Sequence, residues 1–511
     1  MVHVRETHWA DAIADAIVKQ TAGPHEISTG ISPSGEIHIG NLREVITADV
    51  VYRVLVERGV HVTLDYVADN FDPLRKVYPF LDPSIYQGHI GKPLSEIPCP
   101  CDRHPSYAAH FLEPFLASLV RLGIDVKVLY ADQMYKSGMM VPQIVQALKG
   151  RDAIARILAE CTGRKVESDW SPFNPICQAC GKLSDTIVKG FSEKTETVDY
   201  TCACGGRGSV SMRGGGKLTW RVDWPARWAR IPVTIEPFGK DHATRGGSYD
   251  TGALICREVF KAPPPFPVTY EWVSFKGLGD MKKSKGNVLS VHRMLEVLPP
   301  EVLRYLVVKT RPMRAIGFDP GLPLLALVDE FDDAASQSRD PRALQLAGAG
   351  RFHPLGVPFR HLVNVVQMAD GDLDQAVVIL GRNNYAVPDP AAVKERAGYA
   401  IRWLREFAPP EVKFSVQRSL PAAAATLTDG QRVFLVRLAE ELRPGMSGEE
   451  IHALVYEAAR KTGLETTTAA SEAIYVTFLG QPKGPRAGWF LAFLERDFVL
   501  SRLREAGRAA A

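Results

Sequence analysis

The chain has 511 residues, which is too long for one ordinary hydrophobic core and predicts about three domains. Hydrophobic residues make up 46% of the chain and charged residues 23%, as in ordinary globular proteins. The net charge of +3 at pH 7 neither indicates nor excludes a nucleic-acid partner, because only a local basic patch would attract one.

The amino terminus and the hydropathy pattern argue against export. The first residues carry charged side chains among the apolar ones, including Arg5, Asp11 and Asp15, which is not the pattern of a signal peptide. No apolar run approaches the roughly 18 residues that a membrane helix needs. We therefore expect a cytoplasmic protein without a membrane partner.

A strand, a glycine turn, a helix and a second strand follow one another near the amino terminus. Residues 25–29 are predicted to form the first strand, residues 30–35 the turn, and residues 60–67 a second strand rich in β-branched side chains. The helix opens after Gly40 and ends at Gly59, since glycine adopts the left-handed cap easily. Its buried face is formed by Leu42, Val45, Ile46, Val50 and Val54. This is one βαβ unit, the building block of a parallel doubly wound sheet.

The same sheet is expected to gain further strands later in the chain. Short apolar runs at residues 125–130 and 233–235, and a longer one at residues 267–275, fit this role. Two segments between the first unit and the last strands, at 95–115 and 165–218, contain clustered cysteines, and the second is rich in glycine. We interpret them as small metal-stapled insertions.

Helical patterns replace the strand patterns in the second half of the chain. The clearest begins at Ser447, which can cap a helix with Glu450 completing a capping box, and it ends at Gly463. Its buried stripe is predicted to contain Ile451, Leu454, Val455 and Ala458.

These patterns predict three regions. Residues 1–292 form a catalytic domain with the two insertions, residues 293–345 a helical connector, and residues 346–511 a helical domain. The predicted fold class is α/β: a Rossmann-like doubly wound parallel sheet with zinc-bearing insertions, followed by an all-helical carboxy-terminal domain.

The first chemical signal is the string Pro33–Asn41 (PSGEIHIGN), which follows the first strand and opens the first helix. Backbone N–H groups and the helix dipole favour a phosphate at such a position. Gly40 lacks a side chain, so an adenine or ribose can lie against its backbone, while Ser34, His38 and Asn41 are candidate ATP-binding residues. The alternative is a glycine-rich turn with a buried histidine. The length of the string and its strand–helix context favour a nucleotide site.

The second signal is the basic loop Met281–Asn287 (MKKSKGN). Its candidate residues Lys283, Ser284 and Lys285 suit a mobile clamp on a triphosphate, because lysine acts as a point charge on oxygens where charge develops during adenylyl transfer. A short basic loop alone is usually a solvated turn. Together with the first signal, it predicts a site where ATP reacts.

Six of the eight cysteines lie in two clusters, and Cys161 and Cys256 stand alone. A cytoplasmic compartment disfavours disulfides, so clustering indicates metal. One cluster offers four thiolates, enough for a closed tetrahedral zinc site, from Cys177, Cys180, Cys202 and Cys204. The alternative is four unligated surface cysteines.

The other cluster offers two sulfurs and two nitrogens, from Cys99, Cys101, His104 and His110. This is also a suitable zinc set, although the histidines could serve ordinary surface or acceptor-stem contacts instead. We expect one structural Zn²⁺ at the four thiolates and regard this cluster as a candidate for a second. Protein would fill all four positions in either site, so neither metal is expected to be catalytic.

The two signals resemble the HIGH and KMSKS signatures of class I aminoacyl-tRNA synthetases. The surrounding sequence is similar to one family in particular, class I lysyl-tRNA synthetase. The matching stretches are residues 29–35, 69–76, 220–228, 239–242 and 483–488, which together span nearly the whole chain. Asn41 takes the fourth HIGH position, as is usual in this family, whereas Asp280 and Lys282 depart from the general KMSKS pattern. The family also places a metal near residues 99–110, with somewhat different ligands.

The resemblance implies an amino-acid pocket over the sheet. Its residues would be Gly30, Ser32, Trp220, Trp224, His242 and Tyr270. Aromatic walls and an acidic acceptor suit an ammonium on a long apolar stem, and Asp223 and Asp241 are the candidate acceptors. Plain core packing is the alternative for each tryptophan.

The implied reaction is activation of L-lysine with ATP and Mg²⁺ to lysyl-adenylate, followed by transfer to tRNA(Lys) with release of AMP and diphosphate. The helical domain would read the anticodon, for which Trp403, Tyr475 and Arg486 are candidates. We expect a monomer.

Three alternatives remain open: a glutamyl synthetase, a small-molecule nucleotidyltransferase with the same signatures, and a non-catalytic synthetase paralogue. Whether activation requires tRNA also remains open.

Overall fold

The computed structural model describes residues 7–163, 165–275, 289–348, 355–383, 385, 387, 389–464 and 466–508, together with the backbone of residues 279–280. The chain separates into two compact units. The first contains residues 1–295, 303–318 and 345–348, and the second contains residues 296–302, 319–344 and 349–511.

The described strands are β1 (His25–Ile31), β2 (Val62–Ala68), β3 (Lys127–Tyr130), β4 (Phe173–Pro175), β5 (Thr186–Ser192), β6 (Thr197–Cys202), β7 (Arg207–Ser211), β8 (Gly216–Leu218), β9 (Ile235–Gly239), β10 (Phe266–Tyr270), β11 (Val273–Phe275), β12 (Gly279–Asp280) and β13 (Ile316–Phe318).

The described helices are α1 (Trp9–Gln20), α2 (Ile39–Glu57), α3 (Pro83–Tyr86), α4 (Tyr107–Arg121), α5 (Ala131–Lys136), α6 (Val141–Lys149), α7 (Arg151–Thr162), α8 (Trp220–Arg230), α9 (Ser248–Glu258), α10 (Val291–Val297), α11 (Pro300–Val308), α12 (Leu322–Ser336), α13 (Pro341–Ala347), α14 (Phe359–Met368), α15 (Leu373–Arg382), α16 (Pro390–Glu406), α17 (Asp429–Glu441), α18 (Gly448–Lys461), α19 (Thr467–Leu479), α20 (Ala487–Phe493) and α21 (Arg496–Arg508).

Five strands form the parallel sheet of the first unit, in the order β10-β9-β1-β2-β3. β1 and β2 pair along their whole length, from His25 opposite Val62 to Ile31 opposite Ala68. The strand order reverses at β1, since β2 lies on one side of it and β9 on the other. Ligands of doubly wound sheets bind at the carboxyl ends of the strands beside such a reversal. The predicted α/β fold is thus confirmed, and it fixes where a site should lie.

The first signature forms the start of α2. His38 is the N-cap residue, and its backbone N–H donates to Asn41 Oδ1 at 3.3 Å. The helix packs against β1, β2 and β9, which explains why it is apolar along most of its length. Gly59 has a φ of +73°, so it ends the helix in the predicted left-handed conformation.

Arg43, on the buried side of α2, binds backbone carbonyls instead of a carboxylate. Its guanidinium donates to the carbonyl oxygens of Arg311, Pro312 and Arg314 at 3.2, 2.8 and 2.7 Å, and to that of Trp272 at 3.3 Å. Burial lowers the pKa of Arg43 to about 10, so it remains charged at neutral pH. The signature helix therefore holds two separate stretches of backbone in place.

The predicted strand at residues 267–275 is wrong as a single element. β10 ends at Tyr270 in the main sheet, and β11 belongs to a second sheet with the order β12-β11-β13. The chain changes direction between them, where Glu271 N–H donates to Pro312 O at 2.8 Å. Both halves have strand-forming side chains, so the sequence pattern does not reveal the break. β13 lies in a region where the sequence predicted only helices.

The cysteine-rich segment 165–218 folds as two small antiparallel sheets. β4 pairs with β8 at its base, and β5, β6 and β7 form the other sheet. Phe173, Tyr200 and Val210 of this segment share one hydrophobic core with Trp224 and Phe238 of the main fold. Because the core is continuous, the insertion is packed against the sheet domain.

The regular structure described in the second unit is helical, as predicted. Ser447 Oγ accepts from Glu450 N–H at 3.2 Å and Ser447 N–H donates to Glu450 Oε2 at 2.7 Å, so the capping box of α18 is present. Ile451 and Val455 are buried, whereas Leu454 is only half-buried. Among the described residues, no helix is both long and apolar enough to cross a membrane. The predicted division into three domains stays a prediction.

The buried pair of Arg304 and Asp49 leads to a test of the fold of the first unit. Arg304 Nη2 lies 2.7 Å from Asp49 Oδ2, with both side chains at most 3% exposed, and Arg53 contacts the same oxygen from a position 35% exposed. We expect Arg304→Met to lower the free energy of unfolding by about 3–5 kcal/mol, because it leaves a buried carboxylate short of a partner. Arg53→Met is the matched control and should cost less than about 1 kcal/mol. Denaturant unfolding measures both, and equal losses would contradict this difference.

Candidate active site

A pocket of about 470 Å³ opens at the carboxyl edge of the main sheet, where the strand order reverses. Its lining residues are Gly30, Ile31, Ser32, Ser34, His38, Gly40, Asn41, Glu44, Asp69, Asp72, Pro73, Arg75, Tyr78, Trp220, Gly239, Asp241, His242, Tyr270, Trp272 and Val273. They come from the segments that follow β1, β2, β9 and β10 and from the starts of α2 and α8. The pocket therefore lies where this type of sheet binds ligands.

The structure brings most of the predicted site residues to this pocket. The lining includes Ser34, His38, Gly40 and Asn41 of the predicted nucleotide site, and Gly30, Ser32, Trp220, Asp241, His242 and Tyr270 of the predicted amino-acid site. Trp224 and Asp223 are not among the lining residues. Lys283, Ser284 and Lys285 lie outside the described residues.

Gly40 has a steric role that the sequence did not suggest. A Cβ atom at this position would lie 2.9 Å from two atoms of the His38 imidazole. The glycine therefore allows the histidine ring to fold back over the first turn of α2. This packing places the imidazole at the pocket wall beside the start of α2, where the helix dipole favours an anion.

Glu44, which sequence reasoning missed, presents a carboxyl group to the pocket one turn after Gly40. Thr29 Oγ1 and Gly30 N–H donate to its Oε1 at 2.5 and 3.1 Å, and the Tyr270 hydroxyl donates to Oε2 at 2.8 Å. Burial raises its pKa, while these donors lower it in part. The spacing from Gly40 was the available signal, since residues three or four apart share a helix face.

A buried network of five charges lies beneath the pocket. Lys217 Nζ lies 2.5 Å from Asp72 Oδ1, 3.2 Å from Asp69 Oδ1 and 3.5 Å from Asp223 Oδ2. Arg227 Nη2 lies 3.1 Å from Asp69 Oδ2 and 3.4 Å from Asp223 Oδ2. Burial opposes the charge of Lys217, but the three aspartates raise its pKa. Three carboxylates face two cations, so the network is short of positive charge.

Asp223, a predicted acceptor for the substrate, belongs to this network instead. Its side chain is 1% exposed, and Oδ1 accepts from the Tyr135 hydroxyl at 2.5 Å. The next residue, Trp224, is a pocket neighbour, but consecutive helical residues point in different directions. Asp223 is therefore a structural partner of Lys217 and Arg227, and Glu44 and Asp241 are the carboxyl groups of the pocket wall that lie outside this network.

The aromatic residues form a continuous wall. The rings of Trp220 and Trp224 stack at 5.6 Å between centroids, and His242 lies 5.5 and 5.6 Å from the two rings. Behind this wall is a second cavity of about 80 Å³, which Trp224, Glu44 and Glu236 help to line. Trp224 Nε1 donates to Glu236 Oε1 at 2.8 Å, and burial raises the pKa of Glu236 to about 8. Trp224 thus supports the pocket from behind, and Trp220 faces it.

Both predicted metal clusters are assembled. In each, the four ligand atoms lie within 4.8 Å of one another. In the four-thiolate cluster, the sulfur atoms of Cys177 and Cys204 are 3.6 Å apart and those of Cys180 and Cys202 3.8 Å apart. Tetrahedral zinc with Zn–S bonds of about 2.3 Å separates its sulfurs by about 3.8 Å, so the thiolates fit zinc.

The cluster of Cys99, Cys101, His104 and His110 also fits a metal. Its sulfur and Nδ1 atoms lie 3.2–3.6 Å apart, and Cys101 takes part although it falls off the family's usual ligand position. Neither cluster contributes to the lining of the pocket. A metal in either would act on structure and not on the reacting atoms.

Comparison with known proteins finds matches over most of the chain. The family model described as tRNA synthetases class I (K) matches residues 7–347. The lysine–tRNA ligase of Methanosarcina barkeri is 50% identical over 98% of this chain and 97% of its own, and that of Archaeoglobus fulgidus is 47% identical over 98% of this chain and 100% of its own. A solved glutamate tRNA ligase from Elizabethkingia meningosepticum covers 95% of this chain and 99% of its own at 13% identity, with a TM-score of 0.42.

The chain belongs to the class I tRNA synthetases, in the (K) family. The resemblance to class I lysyl-tRNA synthetases that the sequence suggested is thereby confirmed.

The four-thiolate cluster generates a test by metal analysis. We expect Cys177→Ser to reduce the zinc content of the purified chain by about one ion, because a closed site needs all four ligands, and to lower the thermal unfolding temperature. Cys256→Ser is the matched control, since Cys256 is buried and stands alone. Elemental analysis gives the zinc content. Unchanged zinc in the Cys177 variant would show that the four thiolates do not hold the metal.

Proposed function

We propose that this chain is a lysine–tRNA ligase that activates L-lysine with ATP and transfers the lysyl group to tRNA(Lys). The observation that carries the proposal is that one pocket is lined both by a helix start, with His38, Gly40 and Asn41, and by Glu44 together with aromatic rings. An anionic nucleotide suits the helix start, here called the nucleotide end, and a cationic side chain suits the second group, here called the amino-acid end.

The charges around the amino-acid end favour lysine. Glu44 and Asp241 face the pocket, and the buried network behind it has one more carboxylate than cations. An ammonium is stabilised by this negative electrostatic field. Three hydrogen-bond donors already hold the Glu44 carboxyl group in place, where it can accept a charge-assisted hydrogen bond. A glutamate side chain would be repelled, which argues against the glutamyl alternative.

The aromatic wall suits the apolar stem of lysine. Trp220, His242 and Tyr270 offer ring faces and edges that can pack against methylene groups. Burial lowers the pKa of His242, so its ring is neutral at pH 7 and does not repel an ammonium. A neutral ring beside a tryptophan face also permits a cation–π contact.

At the nucleotide end, catalysis requires positioning and charge stabilisation but no protein nucleophile. The carboxylate oxygen of lysine attacks the α-phosphorus of ATP in line, and diphosphate departs with the bridging oxygen. His38 and Asn41 orient the phosphates, with Ser34 beside them. We assign Lys283, Ser284 and Lys285 to the diphosphate side on their sequence signature alone. Mg²⁺ enters with ATP and would neutralise phosphate charge.

The second unit is proposed to bind the anticodon of tRNA(Lys), although one predicted contact is withdrawn. Trp403 is fully buried and its Nε1 donates to Pro320 O at 2.8 Å, so its ring cannot stack on a base. Tyr475 is 8% exposed and its hydroxyl donates to the Pro485 carbonyl. Arg486 is exposed and remains a candidate. The monomeric state stays a prediction.

The decisive experiment is ATP–diphosphate exchange against all twenty amino acids, with and without tRNA. Exchange with lysine alone would establish both adenylate chemistry and specificity. Exchange that needs tRNA as well would support the same enzyme with a tRNA-dependent first step. Absence of exchange with lysine under both conditions would refute the proposal. Exchange with glutamate instead would identify a glutamyl synthetase.

Glu44→Gln tests the acidic end of the pocket. We expect the KM for lysine to rise by about 10- to 100-fold, because the variant loses a charge-assisted hydrogen bond to an ammonium. Protonation of Glu44 removes the same charge, so lysine binding to the unsubstituted enzyme should weaken as pH falls through the raised pKa of Glu44. That acid limb should be absent from the variant.

The matched control is Glu57→Gln, on the exposed end of the same helix. Its KM for lysine should match that of the unsubstituted chain at every pH. If the two substitutions changed the KM for lysine equally in the exchange assay, Glu44 would not be part of the lysine-binding site.

A further inference from the structure

We infer that Arg75 binds ATP at the phosphates that leave as diphosphate, an inference that rests on the proposed function. Arg75 lines the 470 Å³ pocket together with Ser34, His38 and Asn41. It is the one lysine or arginine among the described residues that line this pocket. Nothing in the two signatures points to it, because it lies between them in a separate segment.

The charge of the pocket requires such a cation. ATP has about four negative charges near pH 7, and they would enter a pocket whose described wall also contains Glu44, Asp69, Asp72 and Asp241. Lys217 and Arg227 are committed to the buried aspartates and do not line the pocket. A cation on the wall itself would therefore stabilise the bound nucleotide, in addition to the Lys283 loop and Mg²⁺ of the proposed function.

Arg75 is free to supply that charge. Its side chain is exposed, and in the described part of the chain it forms no ion pair or hydrogen bond with protein. A guanidinium has five N–H donors in a planar fork that matches phosphate oxygens. An unpaired arginine at a pocket wall can bind a phosphate without first breaking a protein contact.

The backbone that presents Arg75 is fixed on its amino-terminal side. Leu74 is fully buried; its N–H donates to Lys92 O at 2.9 Å and its carbonyl accepts from Gly91 N–H at 2.8 Å. Two residues before Arg75, Pro73 joins the pocket wall. The position of the Cα atom is thus set by the fold, while the long side chain can close over a phosphate and release it.

The Lys217–Asp72 contact fixes the same segment from below. The ammonium of Lys217 lies 2.5 Å from Asp72 Oδ1, three residues before Arg75, and both side chains are at most 10% exposed. The carboxylate of Asp72 is therefore already paired with a buried ammonium, although Asp72 also belongs to the pocket wall. Arg75, close to it in sequence, is not needed to balance that carboxylate.

The reaction explains which phosphates gain most from Arg75. As the lysine carboxylate oxygen bonds to the α-phosphorus, the bond from that phosphorus to the bridging oxygen breaks. Its electron pair stays on the departing diphosphate, so negative charge grows there and no proton moves. A guanidinium at this place stabilises the transition state more than the bound ATP.

The test compares Arg75→Gln and Arg75→Lys with Lys76→Gln as the matched control. Lys76 is the neighbouring exposed cation, with its ammonium 5.6 Å from the centre of the Tyr78 ring, and it does not line the pocket. In lysine-dependent exchange we expect Arg75→Gln to lower kcat/KM for ATP by about 100-fold, with the KM for lysine unchanged within about twofold. Arg75→Lys should retain part of the activity, since it keeps the charge but not the fork. Lys76→Gln should match the unsubstituted chain.

Calorimetry on the full chain provides a second readout that needs no amino acid. Arg75→Gln should weaken the binding of diphosphate and leave the binding of AMP, which has only the α-phosphate, unchanged. Equal loss for AMP and diphosphate would overturn the assignment to the leaving phosphates. Exchange rates of Arg75→Gln equal to those of Lys76→Gln would also overturn it, and so would a defect of Arg75→Gln confined to the transfer onto tRNA. If the unsubstituted chain failed to exchange with lysine yet bound diphosphate through Arg75, the proposed function would fail and the Arg75 site would stand.

Discussion

The interaction on which the pocket depends is the burial of one lysine among three aspartates. Lys217 belongs to β8, the last strand of the cysteine-rich insertion, while Asp69 and Asp72 follow β2 of the main sheet and Asp223 lies on α8. Removing Lys217 would leave Asp72 without a cationic partner among the described residues, in a medium of low dielectric, which costs several kcal/mol. The insertion, the sheet and the helix are therefore joined directly below the site.

This arrangement divides the electrostatics of the site between two levels. The buried level uses Lys217 and Arg227 to hold its aspartates, and its remaining negative charge raises the affinity of the space above for cations. The level that lines the pocket includes Glu44 and His38. An enzyme that activates lysine must bring a cationic amino acid and an anionic nucleotide close enough to react. Here the carboxyl groups can bind the ammonium while the start of α2 binds the phosphates, and the buried charges below stay paired with one another.

The sequence predicted what depends on local pattern and missed what depends on distant partners. The signature string predicted that the first helix opens beside His38, and His38 is the N-cap of α2, because a glycine-rich turn between strand and helix has few conformations. The paired cysteines were also found, because ligand spacing is local. Glu44 was missed because an acidic residue on a helix is usually solvated. Asp223 was misplaced because its partner Lys217 and its neighbour Trp224 lie on different sides of α8, and sequence proximity does not reveal the side.

Arg43 has a consequence for the conformational entropy of the chain. Its guanidinium binds the carbonyl oxygens of Trp272, Arg311, Pro312 and Arg314, so both ends of the intervening stretch, residues 273–310, are tied to the same point of α2. Holding the two ends of a long stretch together costs conformational entropy, although this cost grows only with the logarithm of the length. One buried side chain therefore closes this stretch, and the pocket residue Trp272 lies at one of its two closing points.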